Sequence, residues 1–380
     1  MRRLRRPAFI LLVVLSAALA GLAVSEARRD TTPPKLYIEA PPRAEVGTQA
    51  DVLITANEPV TYHIRYAGFD QSKVTQDWNV PLTAVAGSNT VDIVATDGSG
   101  NTTDMQAVID GVAAPVPQVQ TEAQRTAGDP LGVHVTWPAD AAKVTDVTVT
   151  FAGKAQRLIQ GVDDVRAIVP ISLSTAPGAY TLSVSVTDEF GVTHTDTRSI
   201  AVTPLSKKVE RIHLPPKVLA TDTPEAWAKE QQAFAATFAK TAPDPLWTAP
   251  FEIPIKGVES AGFGSARRYV AGGPVSYHTG LDLAADAGTP IHAANDGTVV
   301  LARELPISGN VVAIDHGDGV FSLYFHQSKI LVHDGEQVTR GQVIGLVGTT
   351  GLSTGPHLHW EMRVDGVPTN PLAWVGHRFP

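Results

Sequence analysis

Two stretches lying 91 residues apart carry the same strand-and-turn pattern, and this constrains the fold of the 380-residue chain more than any other feature. Val91-Asp92-Ile93-Val94-Ala95-Thr96-Asp97-Gly98-Ser99-Gly100 and Leu182-Ser183-Val184-Ser185-Val186-Thr187-Asp188-Glu189-Phe190-Gly191 set Asp97 against Asp188 and Gly100 against Gly191. In each copy every second residue is apolar, which a strand converts into one buried and one wetted face. The Asp and Gly after each strand suit a hairpin turn. Leu36-Tyr37-Ile38-Glu39 and Asp51-Val52-Leu53-Ile54-Thr55 alternate in the same way. The repeat predicts two β-sandwich domains, over residues 33–113 and 114–204.

These two modules resemble immunoglobulin-like domains of bacterial surface proteins, which share an architecture without sharing sequence. With 32 Gly, 28 Pro and only 6% aromatics, the composition fits short strands joined by many turns. Residues 205–250 differ. Thr223 is placed to cap a helix, Pro224 fits its first position and Glu225 favours its dipole. An Ala-rich helix then runs to about Lys240, with Trp227, Phe234 and Phe238 along one side, and it must stop before Pro243. This segment is expected to be a helical connector that packs on a neighbour and spaces the domains. Beyond Phe251 short β runs return, in a compact all-β domain over 251–380 that holds eight of the twelve histidines. The expected fold is therefore mainly β: two tandem immunoglobulin-like sandwiches, a short helical connector and a C-terminal all-β domain.

The N-terminus predicts export. Met1-Arg2-Arg3-Leu4-Arg5-Arg6 is a basic head, Ala8 to Val24 an apolar or small-residue run, and Ser25-Glu26-Ala27 a loose cleavage site. Residues 1–30 are read as a signal peptide or an uncleaved membrane anchor, and either one exports the rest of the chain. A formal charge of −8 offers no basic face to displace counterions from a polyanion, so nucleic acid is excluded as a partner. There is no cysteine, which removes disulfides, a lipoprotein-type anchor and thiolate metal sites. Any metal must be held by His and carboxylate.

Such residues cluster in the C-terminal domain, as His278-Thr279-Gly280-Leu281-Asp282, Tyr324-Phe325-His326 and Gly355-Pro356-His357-Leu358-His359-Trp360-Glu361. If 357–361 is a strand, His357 and His359 point to one face and Leu358 into the core. In a straight strand His278 and Asp282 would be about 13 Å apart, at about 3.3 Å per residue, too far to share one ion. The chain must bend between them, and Gly280 can take the backbone angles of a bend. Neutral imidazole and carboxylate suit zinc, and three protein ligands plus a water make the catalytic pattern. The remaining histidines could then act on that water or on the oxyanion. These residues alone leave open which of the four histidines are ligands.

Residues 251–380 resemble the M23 family of zinc metallopeptidases, of the lysostaphin and LytM type. The similarity runs through Gly262-Phe263-Gly264 with Arg267-Arg268, His278 to Asp282, Ala287-Gly288-Thr289-Pro290 and Asp315-His316-Gly317. It continues through Tyr324-Phe325-His326, Gly345 to Gly351, Ser353 to Glu361 and Asn370-Pro371. The resemblance implies that His278, Asp282 and His359 ligate one Zn2+ per chain, and that His326 and His357 are non-ligand catalytic histidines. It implies as substrate the peptide stems and cross-links of bacterial peptidoglycan, and as location the cell envelope. Some relatives have lost ligands and only activate cell-wall amidases, so a non-catalytic envelope regulator or wall-binding protein is the competing expectation. All five positions are intact here. One departure is Gln327, where the family has Leu. His316 is expected to hold a strand-to-turn corner; Arg267 and Arg268 are candidates for a substrate carboxylate or a structural ion pair, and Asn310 for the groove wall.

Overall fold

The structure is a computed structural model and describes residues 30–205, 209–211, 220–268, 276–377 and 379. The expected leader, residues 1–30, lies outside these except for Asp30. Among the described residues no helix is long and apolar enough to cross a membrane. The chain is mainly β, as its alternation requires.

The chain divides into two compact units. The first comprises residues up to Val116 together with Trp137–Asp146 and Val186–His194. Its sheet runs in the order Leu36–Glu39, Gln49–Tyr66, Gly87–Thr96, Thr102–Val112 and Arg43–Glu45, with Phe69–Thr83 also paired to the long second strand. Period-2 burial is nearly unbroken there: Val52, Ile54, Tyr62 and Ile64 point inward and meet Val91, Ile93 and Ile109. All strands of this region share one hydrogen-bonded sheet, whereas the second copy of the repeat forms two, of five and four strands.

The second unit holds the C-terminal domain. Seven strands pair in the order Val258–Ala261, Leu281–Ala284, His357–Val364, Val320–Gln327, Gly309–Asp315, Gly297–Leu305 and Gln337–Val338; Val367–Thr369 adds to His357–Val364. One face carries Leu283, Val312, Tyr324, Leu358, Trp360 and Met362 into the main core. On the other face Val311, Ala313, Phe321, Leu323 and Phe325 form a smaller core closed by Phe234 of the helix Pro224–Phe238. Burying aromatic and aliphatic side chains here stabilises by about 1.5–3 kcal/mol each, which is why the helix docks despite its weak amphipathicity. Thr223 caps it as expected, its hydroxyl accepting from the Ala226 N–H at 3.2 Å.

Candidate metal centre and active site

Alternation decides which side chains meet. On the strand His357–Val364, Leu358, Trp360 and Met362 enter the main core, so His357, His359, Glu361 and Arg363 share the opposite face. Leu281 and Leu283 are core residues too, which turns Asp282 to that same face. The register sets Asp282 directly opposite His359. Between the strands Ser276–Tyr277 and Leu281–Ala284 the chain bends, as the spacing demanded, and brings His278 Nε2 to 2.9 Å from Asp282 Oδ1. Gly280 serves that bend differently from expectation: its φ is not positive. A Cβ there would instead lie 2.5 Å from the Trp360 carbonyl oxygen and 2.8 Å from the His359 ring. It supplies room, not an unusual backbone angle.

His326 arrives by an irregularity. Strict alternation would send it to the face of Tyr324, away from His359. The register with Gly309–Asp315 slips, so that Asn310 pairs with Gln327 but Val312 with Tyr324. The extra residue is a β-bulge, with His326 at φ 59°. Phe325 and His326 then both face the site, with ring centroids 4.8 and 6.2 Å from that of His359. His357 lies beside them, its ring 4.8 Å from that of His326.

Three atoms converge: His278 Nε2, Asp282 Oδ1 and His359 Nδ1, separated by 2.7–2.9 Å. The far side of each ring assigns its tautomer. His278 Nδ1–H donates to the Gly262 carbonyl at 3.0 Å, and His359 Nε2–H to Glu361 Oε1 at 3.0 Å. In the neutral rings both inner nitrogens are therefore lone pairs, facing each other and a carboxylate oxygen. Such a set is stable only around positive charge. Burial lowers His278, with Asp282 opposing it in part. Burial would also lower His359, but its hydrogen bonds to Asp282 and Glu361 raise it to about 9. Asp282, although buried, is held well below the usual carboxylate range by those two histidines. A proton or a cation must sit here, and imidazole with carboxylate is a zinc donor set. Bonds of about 2 Å around a tetrahedral ion separate ligands by about 3.3 Å, so the three atoms need to part by only about 0.5 Å. The residues fit the metal.

The same logic orients the other two histidines. His326 Nδ1–H donates to the Thr350 carbonyl at 2.8 Å and His357 Nδ1–H to that of Gly355 at 2.9 Å. Each keeps an Nε2 lone pair, and that of His357 lies 3.8 Å from Asp282 Oδ1. Burial, then the neighbouring imidazoles, hold His326 at about 3, and burial lowers His357, so both are neutral at physiological pH.

Two residues with no role in the sequence reading support this set. Glu361 is buried, takes hydrogen bonds from His359 and Thr279, and forms an ion pair with Arg363 at 2.6 Å. Burial would raise it, but the Arg363 charge and these bonds bring it to about 2. Continuing the period of two from His357 and His359 would have reached both. Arg267 takes the structural option, its guanidinium 2.6 Å from Asp282 Oδ2, which leaves Oδ1 for the centre; the side chain of Arg268 lies outside what is described. His316 is fully buried between the Asp296 carbonyl and the Ser322 hydroxyl, at the corner expected of it. Asn310 holds Gln327 and Thr350 in place rather than lining the groove. Gln327 is buried and donates to the Tyr324 carbonyl at 2.8 Å, fitting against Gly345 where any Cβ would collide with it.

Two open spaces meet over these histidines. One, of about 780 Å³, runs beneath the helix and is walled by Trp227, Glu230, Gln231 and Phe234. The other, of about 360 Å³, lies beside the loop Ser353–Pro356. Together they make a groove that could pass an extended chain across His326, His357 and His359.

An all-β domain with a His/Asp/His donor set and two tautomer-fixed histidines on one sheet face defines a metal-dependent hydrolase type of site. Residues 276–371 match Peptidase family M23, and this part of the chain is an M23 peptidase domain. The chain is 46% identical over 113 residues to the peptidoglycan DD-endopeptidase ShyA of Vibrio cholerae serotype O1, covering 30% of this chain and 26% of that protein. It is 48% identical over 96 residues to the DD-carboxypeptidase/endopeptidase Mpg of Neisseria meningitidis serogroup B, covering 25% of this chain and 22% of that protein. Among solved structures, the catalytic domain of the antimicrobial peptidase lysostaphin from Staphylococcus simulans is 33% identical, with a TM-score of 0.28, over 30% of this chain and 90% of that one. The chain thus spans about a quarter of the length of the curated relatives it matches.

Proposed function

We propose that the protein is a zinc metalloendopeptidase of the bacterial cell envelope that hydrolyses peptide cross-links of peptidoglycan. The convergence of His278 Nε2, Asp282 Oδ1 and His359 Nδ1, each with its tautomer or charge set from behind, carries this reading. Those three residues would hold the ion. When bound, zinc supplies a Lewis acid and lowers the pKa of a coordinated water. The chain's own groups do the rest. His326 and His357 each present a neutral Nε2 able to accept a proton from water, hold it and return it to the leaving amine. As imidazolium, either could donate to the oxyanion of a tetrahedral intermediate. The groove between the helix and the loop Ser353–Pro356 would bind the peptide extended. The relative named a peptidoglycan DD-endopeptidase supports the substrate class, and the basic, apolar N-terminal segment supports export.

The test uses metal analysis together with release of peptides from purified sacculi. Asp282→Ala and His359→Ala are expected to lose both zinc and cleavage. His326→Ala is expected to keep zinc and lose at least about 100-fold in rate, the scale of a lost general base. Metal-free wild-type protein that binds sacculi without cutting them would overturn the enzyme reading in favour of a regulator.

A further inference from the structure

We propose that Glu45, Asp188 and His194 form a second divalent-cation site, of zinc-like chemistry, within the first unit. Glu45, Asp188 and His194 each offer one ligand atom within 4.8 Å of the other two. Glu45 and Asp188 are 5% and 1% exposed, and Glu45 Oε2, Asp188 Oδ2 and His194 Nε2 are buried atoms outside any well-formed hydrogen bond. His194 Nε2 lies 3.3 Å from Glu45 Oε2, an ion pair when the imidazole is protonated. Burial and the Asp188 carboxyl beside it push Glu45 upward, with His194 only partly opposing them. Two buried carboxylates sharing one imidazole are under-compensated, and the usual remedy is a further partner charge. Arg43, on the same short strand as Glu45, is paired to Glu189 at 2.7 Å.

The internal repeat supplies a control. Asp97, the counterpart of Asp188, folds the same turn: its Oδ1 accepts the N–H groups of Ser99 and Asn101, as Asp188 Oδ1 accepts those of Phe190 and Val192. In the first copy Asn101 Nδ2 closes the other oxygen, Asp97 Oδ2, at 2.7 Å. In the second copy Val192 stands at that place and has no side-chain amide to offer. Asp188 Oδ2 is released from the turn and turned toward Glu45 and His194. The turn alone therefore does not account for this arrangement. Two carboxylate oxygens and one imidazole suit zinc or a similar first-row ion; an all-oxygen set would suit calcium. An ion there would tie the strand Arg43–Glu45 to the hairpin that carries Asp188 and His194.

The experiment uses the full chain carrying Asp282→Ala and His359→Ala, so that the catalytic centre takes no part and a negative result leaves the peptidase reading untouched. After chelator treatment, zinc chloride is titrated calorimetrically and the melting temperature followed. About one equivalent should bind, with Tm rising as the logarithm of free zinc. Adding Val192→Asn, which re-creates the closure made by Asn101, should abolish that binding in a folded chain, and His194→Gln should weaken it at least about tenfold. No zinc bound before these additions, or binding that survives both, would overturn the proposal.

Discussion

Gly280 shows how much one residue decides at this site. Its missing side chain lets the Trp360 carbonyl and the His359 ring close on the 278–282 bend. Gly280→Ala would set a Cβ 2.5 Å from that carbonyl oxygen and force the two strands apart, at a cost of about 2 kcal/mol. It should lower zinc affinity more than it lowers Tm, because the displaced ring is His359; calorimetric zinc titration beside thermal melts checks this. Asp318 makes a different demand. Burial, with Asp365 and Asp244 nearby and Arg157 only partly offsetting them, pushes it up to about 7. Since the folded pKa exceeds the unfolded one, the folded chain binds the extra proton between about pH 4 and 7. The stabilisation is present below that window and lost as pH rises through 7. Asp318→Asn should therefore be more stable than wild type at pH 8, by up to about 4 kcal/mol, with the difference shrinking toward pH 4. Denaturant titrations of both proteins across that range test the sign.

At the scale of elements, the helix Pro224–Phe238 does more than connect. Its buried Glu230 accepts the N–H groups of Ile307 and Ser308 and the Ser308 hydroxyl. The Ser308 carbonyl in turn accepts the N–H of His326 at 2.8 Å. Phe234 and Phe238 lie 5.5 and 5.2 Å from the Arg363 guanidinium, which holds Glu361, which holds His359. One helix thus braces His359 and His326 by separate routes. Phe234→Ala should cost about 3 kcal/mol and lower kcat at nearly unchanged zinc content, since no ligand is removed. Stability, metal analysis and steady-state rates on a soluble cross-linked peptide separate these effects. A fall in zinc equal to the fall in rate would sink the bracing role.

For the whole molecule, the second unit joins residues of the repeat region to the peptidase domain. Ile168 belongs to the peptidase core, Arg157 pairs with Asp365 at 3.1 Å, and Asn370 donates to Asp129 at 2.9 Å. The connection is a shared core as well as a tether. A chain beginning at residue 205 should melt several degrees lower than the full protein, with a shallower transition if Ile168 leaves a cavity. Calorimetry comparing the two decides it; equal melting would mean these contacts are incidental.

The amino-acid sequence by itself determined what depends on near neighbours. Alternation made the chain mainly β and put His357 and His359 on one face. Thr223 and Pro224 marked where the helix starts, and the intact M23 motifs marked the residues of the centre. The tertiary structure alone decided what depends on partners distant along the chain. The pairing of Asp282 with His359 is a matter of strand register, and the tautomers are set by Gly262, Glu361, Thr350 and Gly355 from separate segments. His326 reaches the site only through a bulge that breaks the local period. A side chain's face is set by its neighbours in sequence, but its partners are set by how the sheet closes, and no local pattern records that.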